Sequence, residues 1–202
     1  MLLFRKAYID DQWLGTSAAY SIKASYDWIR DPGNTVDWWK LCWNSLNVPK
    51  SSFIYWAVML GRLLTRDRLA KMGGPTSMEC YLCQGADESH GHLFFECDFS
   101  RKCSDLMQQK LTIRLNPRAL VEWNKRGRRL SILRRRMVCA CYVMLVYLIW
   151  QARNKPRTML SVIHPKVIVQ QAIQAVSIRF WARNKAPIKE EDISWLNSLR
   201  AS

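Results

Sequence analysis

Acidic side chains are scarce in this 202-residue chain: 16 Asp and Glu stand against 31 Lys and Arg, a formal net charge of +15. The shortage is local. Residues 1–79 are net +3, residues 80–110 net −2, and residues 111–202 net +14, with Glu122, Glu190, Glu191 and Asp192 as the last stretch's only acids. Two-metal chemistry on phosphodiesters needs several carboxylates converging on Mg²⁺, so the C-terminal half is not expected to carry it. Long hydrophobic runs are also missing. The longest, Met137 to Trp150, has 14 residues and follows Arg134, Arg135 and Arg136, whereas spanning a bilayer takes about 20. A buried helix is expected there, with no membrane insertion. The opening Met1-Leu-Leu-Phe is cut short by Arg5 and Lys6, so no secretory signal is expected.

Histidine occurs three times, and no Ser/His/Asp set, phosphate-binding glycine loop or carboxylate pair on one face is found. A non-enzyme is expected, with His164 before Pro165 a loop residue rather than a base. Cysteine numbers seven, an odd count in a chain without a secretory signal. That excludes a disulfide scaffold in favour of thiols or metal ligands. What the chain does have is a core: 49% hydrophobic residues and ten Trp, enough to bury about 70% of the unfolded surface at this size. The excess of cations points to a polyanionic partner, nucleic acid first and anionic membrane second.

The pattern is mainly α-helical, with no internal repeat and no sheet alternation long enough for a barrel. Residues 1–15 read as an extended lead-in, with a short N-terminal hairpin as an option, and residues 22–29 as a helix stopped by Asp31-Pro32-Gly33-Asn34. A helix capped by Asp37 is expected to run past Trp43 until Pro49, and a second to start at Ser51 or Ser52. Others are expected at Thr65–Ala70, from Asp98 or Ser100, at Leu130–Ala152, at Pro165–Trp181 and at Glu190–Leu199. Trp43 and Trp56 are expected in the core. Trp13, Trp38, Trp39 and Trp43 are candidate anchors for a partner protein if that role holds.

Cys80-Tyr81-Leu82-Cys83 is a C-x2-C knuckle followed by Gly85, a geometry that aims backbone N–H groups at the sulfurs. Spacing admits two completions, C-x2-C-x8-H-x4-C through His92 and C-x2-C-x6-H-x6-C through His90. Either gives the closed Cys3His shell of a structural zinc site, with no open position for substrate. Leu93-Phe94-Phe95 beside His92 favour Cys80, Cys83, His92 and Cys97 as the Zn²⁺ ligands. Ser89-His90-Gly91 reads as a wet loop. Cys42, Cys103, Cys139 and Cys141 have no histidine near them and read as inert core.

These residues resemble the zinc-binding region that follows the polymerase domain in plant LINE-type (non-LTR) retrotransposon reverse transcriptases. The resemblance runs from Asp11 and Trp13 through Tyr20-Ser21-Ile22-Lys23-Ala24-Ser25-Tyr26, Trp39, Trp43, Phe53, Trp56 and Arg62-Leu63-Leu64-Thr65. It is most specific at Cys80-x2-Cys83 with His92-Leu93-Phe94-Phe95-Glu96-Cys97, and ends at Ile149-Trp150-Gln151-Ala152-Arg153-Asn154. Leu64, Ser104 and Ala152 depart from the family's usual Pro, Trp and Glu without touching a ligand. Tyr8-Ile9-Asp10-Asp11 spells the polymerase signature, but no palm-domain sequence surrounds it. The resemblance implies the tail of a retroelement protein standing alone, a fragment or a sequence reused by its host. With the charge boundary near Thr112, the chain is expected to divide into a reverse-transcriptase-type zinc-binding domain at 11–110 and a basic helical extension at 111–202 packed on it.

Two roles compete. The first is a non-catalytic module that binds the RNA or DNA backbone through Lys125, Arg126, Arg128, Arg129, Arg134, Arg135 and Arg136, with Gly127 letting the chain turn between them. Arg134 to Arg136 are expected to stay wet although they oppose the helix dipole. The second is a protein-interaction or structural subunit within a larger nucleoprotein complex. A place inside the cell is expected for either, the nucleus before the cytoplasm, with an organelle left open.

Overall fold

The computed structural model describes residues 36–74, 77–126, 130–155 and 164–200. The expected N-terminal hairpin, the helix at 22–29, Trp13, and the basic residues Arg128 and Arg129 with Gly127 lie outside them. Eight α-helices follow in order among the described residues: α1 (Trp39–Cys42), α2 (Pro49–Met59), α3 (Arg66–Lys71), α4 (Asp98–Leu111), α5 (Leu120–Arg126), α6 (Ile132–Asn154), α7 (Pro165–Arg183) and α8 (Glu190–Arg200). A π-helical turn, His92–Glu96, precedes α4, and a 3-10 turn, Pro117–Ala119, precedes α5. The mainly helical expectation holds.

Helix α6 is the axis of the molecule. Met137 through Leu145 are all buried, so its middle is apolar on every face, as a helix enclosed by others must be. It packs on α7 and α2, and more lightly on α1, α4 and α5, while α4 also lies on α7 and α8 closes over α7. From Asp37 onward the chain forms one compact unit. No described helix is long and apolar enough to cross a membrane.

Local chemistry explains the boundaries. Ser131 Oγ accepts from the Arg134 N–H at 3.1 Å and starts α6, an ordinary N-cap. Asp192 from α8 accepts from both Ser131 Oγ (3.0 Å) and Arg134 Nε (2.7 Å). A buried carboxylate thus sits at the positive end of α6 and offsets the cations there. Arg134 is therefore not wet: it is ion-paired and lies over the Trp195 ring. His164 is a cap as well, its Nδ1 accepting from the Lys166 N–H at 3.2 Å.

The first helix departs most from expectation. It stops at Cys42, and Asp37 does not cap it but pairs with Lys125. Asn47 explains the stop, since its Nδ2 donates to the carbonyls of Leu41 (2.6 Å) and Cys42 (2.9 Å), satisfying groups a longer helix would have used. Pro49 then begins α2 at its first position instead of ending α1, where its missing N–H costs nothing. As a result Trp43 is 62% exposed, not core, and Trp56 is only partly buried.

Candidate zinc centre

The knuckle is the closed end of a two-stranded ribbon. Glu79 and Asp87 form an antiparallel bridge, and the Glu88 N–H donates to the Met78 carbonyl at 2.7 Å. Within it the Cys80 N–H donates to Ala86 O (2.8 Å) and the Gln84 N–H to Cys80 O (3.0 Å). Gln84 takes φ = 56°, the left-handed step that turns the chain just after Cys83. The N–H groups of Cys83 and Leu82 hydrogen-bond the Cys80 sulfur.

The other half comes from the π turn. The Cys97 N–H donates to His92 O at 2.7 Å, an i→i+5 bond. In an α-helix five residues are about 1.4 turns, which would send the two side chains to different faces. Widening the turn brings them to the same side, one of the uses of such π segments at functional sites. Leu93 and Phe94 are buried and fix the turn. Ser89 opens it, its Oγ accepting from the His92 N–H at 3.1 Å.

These two halves bring Cys80, Cys83, His92 and Cys97 together, their ligand atoms all within 4.8 Å of one another. Cys80 Sγ and Cys97 Sγ are 4.0 Å apart, and Cys83 Sγ is 3.3 Å from His92 Nε2. A tetrahedral zinc with bonds of about 2.3 Å to sulfur and about 2.0 Å to nitrogen requires edges of roughly 3.5–3.8 Å. The donor set therefore fits zinc in both identity and spacing. It is also primed electrostatically. Cys97 is held below the usual thiol range by its hydrogen bond from Cys80 and by the N–H groups of Ser100 and Phe99 at the start of α4. Cys80 is pushed up by the same contact and by burial. Both sulfurs bind metal as thiolates, so metal binding must release their protons.

His90 stands apart from this group and is not in a wet loop. Its ring packs edge-on against Phe94 at 5.2 Å, with Nε2 buried and without a partner. The four other thiols, Cys42, Cys103, Cys139 and Cys141, are all buried, and burial pushes each up to about 12. They are core residues, as expected.

The knuckle is anchored by an ion pair that the sequence reading overlooked. Glu88 is fully buried, and its carboxylate takes Arg153 Nη2 at 2.7 Å and Arg153 Nε at 3.0 Å, with the Arg66 N–H at 3.0 Å. Arg153 lies between the Tyr81 and Trp150 rings, and Arg66 stacks on Tyr81 at 3.7 Å. Arg66 Nη1 also donates to Glu79 O and Ser77 Oγ. The Trp150 and Arg153 of the Ile-Trp-x-x-Arg-Asn motif thus clamp the zinc ribbon onto the end of α6. The motif was visible, but its partner lies 65 residues away, and no local periodicity points to it.

Residues 20–103 match the family model described as zinc-binding in reverse transcriptase. Over this segment the chain is similar to that zinc-binding family, and its Cys3His set suits zinc. The match contains all four ligands and ends inside α4, at Cys103. No curated protein and no solved structure matches the chain.

The basic residues named from sequence do not form one free row. Lys125 pairs with Asp37 at 2.7 Å and Glu122 at 3.3 Å, and Arg134 is held by Asp192. Among the described residues Arg126, Arg135 and Arg136 have no carboxylate within ion-pairing distance. Of these, Arg126 and Arg136 are exposed.

Proposed function

We propose that this protein is a non-catalytic nucleic-acid-binding module of plant LINE-type retroelement descent, acting inside the cell and in the nucleus. It is built as a zinc-clamped domain at 11–110 carrying a basic extension at 111–202. One observation carries the reading: the net +14 of residues 111–202, far beyond what its own carboxylates neutralise. Phosphate contacts would supply affinity with little sequence readout. Zinc has a structural task here, since four protein ligands fill its shell and leave no position for a substrate.

A second reading rests on the aromatic surface of α1 and α2. Trp39 is 44%, Trp43 62% and Phe53 59% exposed, an unusual concentration for side chains that favour interface centres. Capture of partners from native extract, with and without nuclease, separates the two. Partners lost on nuclease treatment support nucleic-acid binding. Partners that survive it, and are released by Trp43→Ala, support the protein-interaction role instead.

A further inference from the structure

Three guanidinium groups from two helices converge on one exposed serine in the segment between α1 and α2. Arg136 Nη2 donates to Ser45 Oγ at 2.5 Å, while Arg179 Nε and Arg183 Nη1 donate to Ser45 O at 3.2 and 3.3 Å. Asn44 Nδ2 in turn donates to Arg136 O at 2.9 Å. Arg179 and Arg183 are four residues apart near the end of α7, hence on one face. Among the described residues none of the three arginines has a carboxylate within ion-pairing distance. Each guanidinium carries five donors, and the serine occupies one of each. Among the described residues no carboxylate takes up their remaining donors or their charge.

A cavity of about 310 Å³ opens beside them, floored by Leu46, Leu133, Phe180 and Pro187 and rimmed by Arg136, Arg183 and Asn184. Asn184 Nδ2 donates to Ala186 O at 2.7 Å, and both residues line the cavity. Fixed cations beside an apolar floor match the two halves of a nucleotide, a phosphate and a base. A duplex cannot offer that combination, because its bases are stacked and paired. Unpaired strands can splay a base into an apolar or aromatic recess while their backbone follows the cations.

We infer that Arg136, Arg179 and Arg183 hold a backbone phosphate of single-stranded nucleic acid, with the adjoining base seated in the Leu46–Phe180 cavity. This rests on the nucleic-acid reading above and assigns it a place, which the sequence had sought in the 125–136 stretch. Arg136 is the one residue common to both. Ser45 is the pivot of the site, since it spaces the three cations without neutralising them.

The test is fluorescence anisotropy of the full zinc-loaded chain with a labelled single-stranded RNA across a salt series. The Arg136→Gln/Arg179→Gln/Arg183→Gln variant should lose at least tenfold in affinity at ~150 mM salt. Its log–log salt slope should be shallower by about 0.7, the contribution of one single-strand phosphate contact. A charge-matched control, Lys102→Gln/Lys110→Gln/Lys166→Gln, should lose less than threefold. Because the triple variant also unties the Ser45 segment, Ser45→Asp is the second variant. It leaves all three arginines in place, sets a carboxylate among them that competes with phosphate, and should weaken RNA binding without lowering the melting temperature. Equal losses in the site and control triples would overturn the subsite while leaving nucleic-acid binding intact. A parent that binds neither RNA nor DNA would overturn the functional reading and the subsite together. Duplex bound as tightly as single strand would overturn the seated base.

Discussion

Removing Arg153 should be among the most damaging single changes outside the zinc ligands. Glu88 has no solvent exposure, and Arg153 supplies two of its charged donors, leaving only the Arg66 N–H in the Arg153→Met variant. Breaking one side of a buried pair costs about 3–5 kcal/mol, because the orphaned charge stays in a poorly solvating site. At about 2–4 °C per kcal/mol for a chain of this size, the midpoint of thermal unfolding should fall by roughly 6–20 °C. Glu88→Gln should cost less, since its amide oxygen still accepts from the Arg66 N–H. The double variant Glu88→Gln/Arg153→Met should be more stable than the sum of the single losses by about 1–3 kcal/mol, the coupling of two side chains in direct contact. Urea unfolding of the zinc-loaded protein measures all three. Losses below about 1 kcal/mol for Arg153→Met, or strict additivity in the cycle, would show that the clamp does not hold the ribbon to α6.

The other expectations are narrower. Metal analysis of the purified chain should give one zinc, lost in Cys83→Ser and His92→Ala but kept in His90→Ala; loss in His90→Ala with retention in His92→Ala would exchange the two histidines. Zinc affinity should fall as pH drops, because Cys80 and Cys97 must both release their protons to bind metal, and a pH-independent affinity in competition titrations would contradict the thiolate site. At pH 8 a thiol pushed up to about 12 is thiolate in only about one molecule in 10⁴, and the thiolate is the nucleophile. Iodoacetamide should therefore spare Cys42, Cys103, Cys139 and Cys141 in the native protein, and after chelation should reach the half-buried Cys83 first, as peptide mapping would show. Asp192→Asn removes the carboxylate shared by Ser131 and Arg134 and should cost about 1–3 kcal/mol, read as a shift in urea midpoint; no shift would mean that Ser131 alone starts α6.

Where the sequence was legible, the cause was local. The knuckle, the apolar residues next to His92, and the helical periodicities of α4, α6 and α7 all rest on contacts within a few residues. So does the inert character of the four core thiols. The failures share the opposite origin. Trp43 reads as core because its spacing continues the α1 pattern, yet Asn47 ends that helix from outside the pattern. His90 reads as wet beside Gly91, yet Phe94, one turn on, covers it. Arg134 reads as a free cation until α8 delivers Asp192 from 58 residues away. Helices α5 and Pro117–Ala119 were missed because a short polar segment carries too little periodicity to register.

The long-range contacts that escaped the sequence also decide how the two halves can work. The ribbon carrying Cys80 and Cys83 is tied to the C-terminal end of α6 through Glu88 and Arg153, while Arg136 stands one turn from the N-terminus of the same helix. One rigid element of 23 residues, about 35 Å at 1.5 Å per residue, therefore joins the zinc-held ribbon to the cations around Ser45. Loss of zinc would release the ribbon without opening α6, whose middle is enclosed by α2 and α7. The metal-free chain is thus expected to keep most of its helicity and its Ser45 cluster while losing order at residues 78–97. Circular dichroism and RNA affinity measured on one chelated sample distinguish this from a fold that depends wholly on metal. Collapse of both together would mean that the zinc ribbon, and not α6, is what sets the arginines in place.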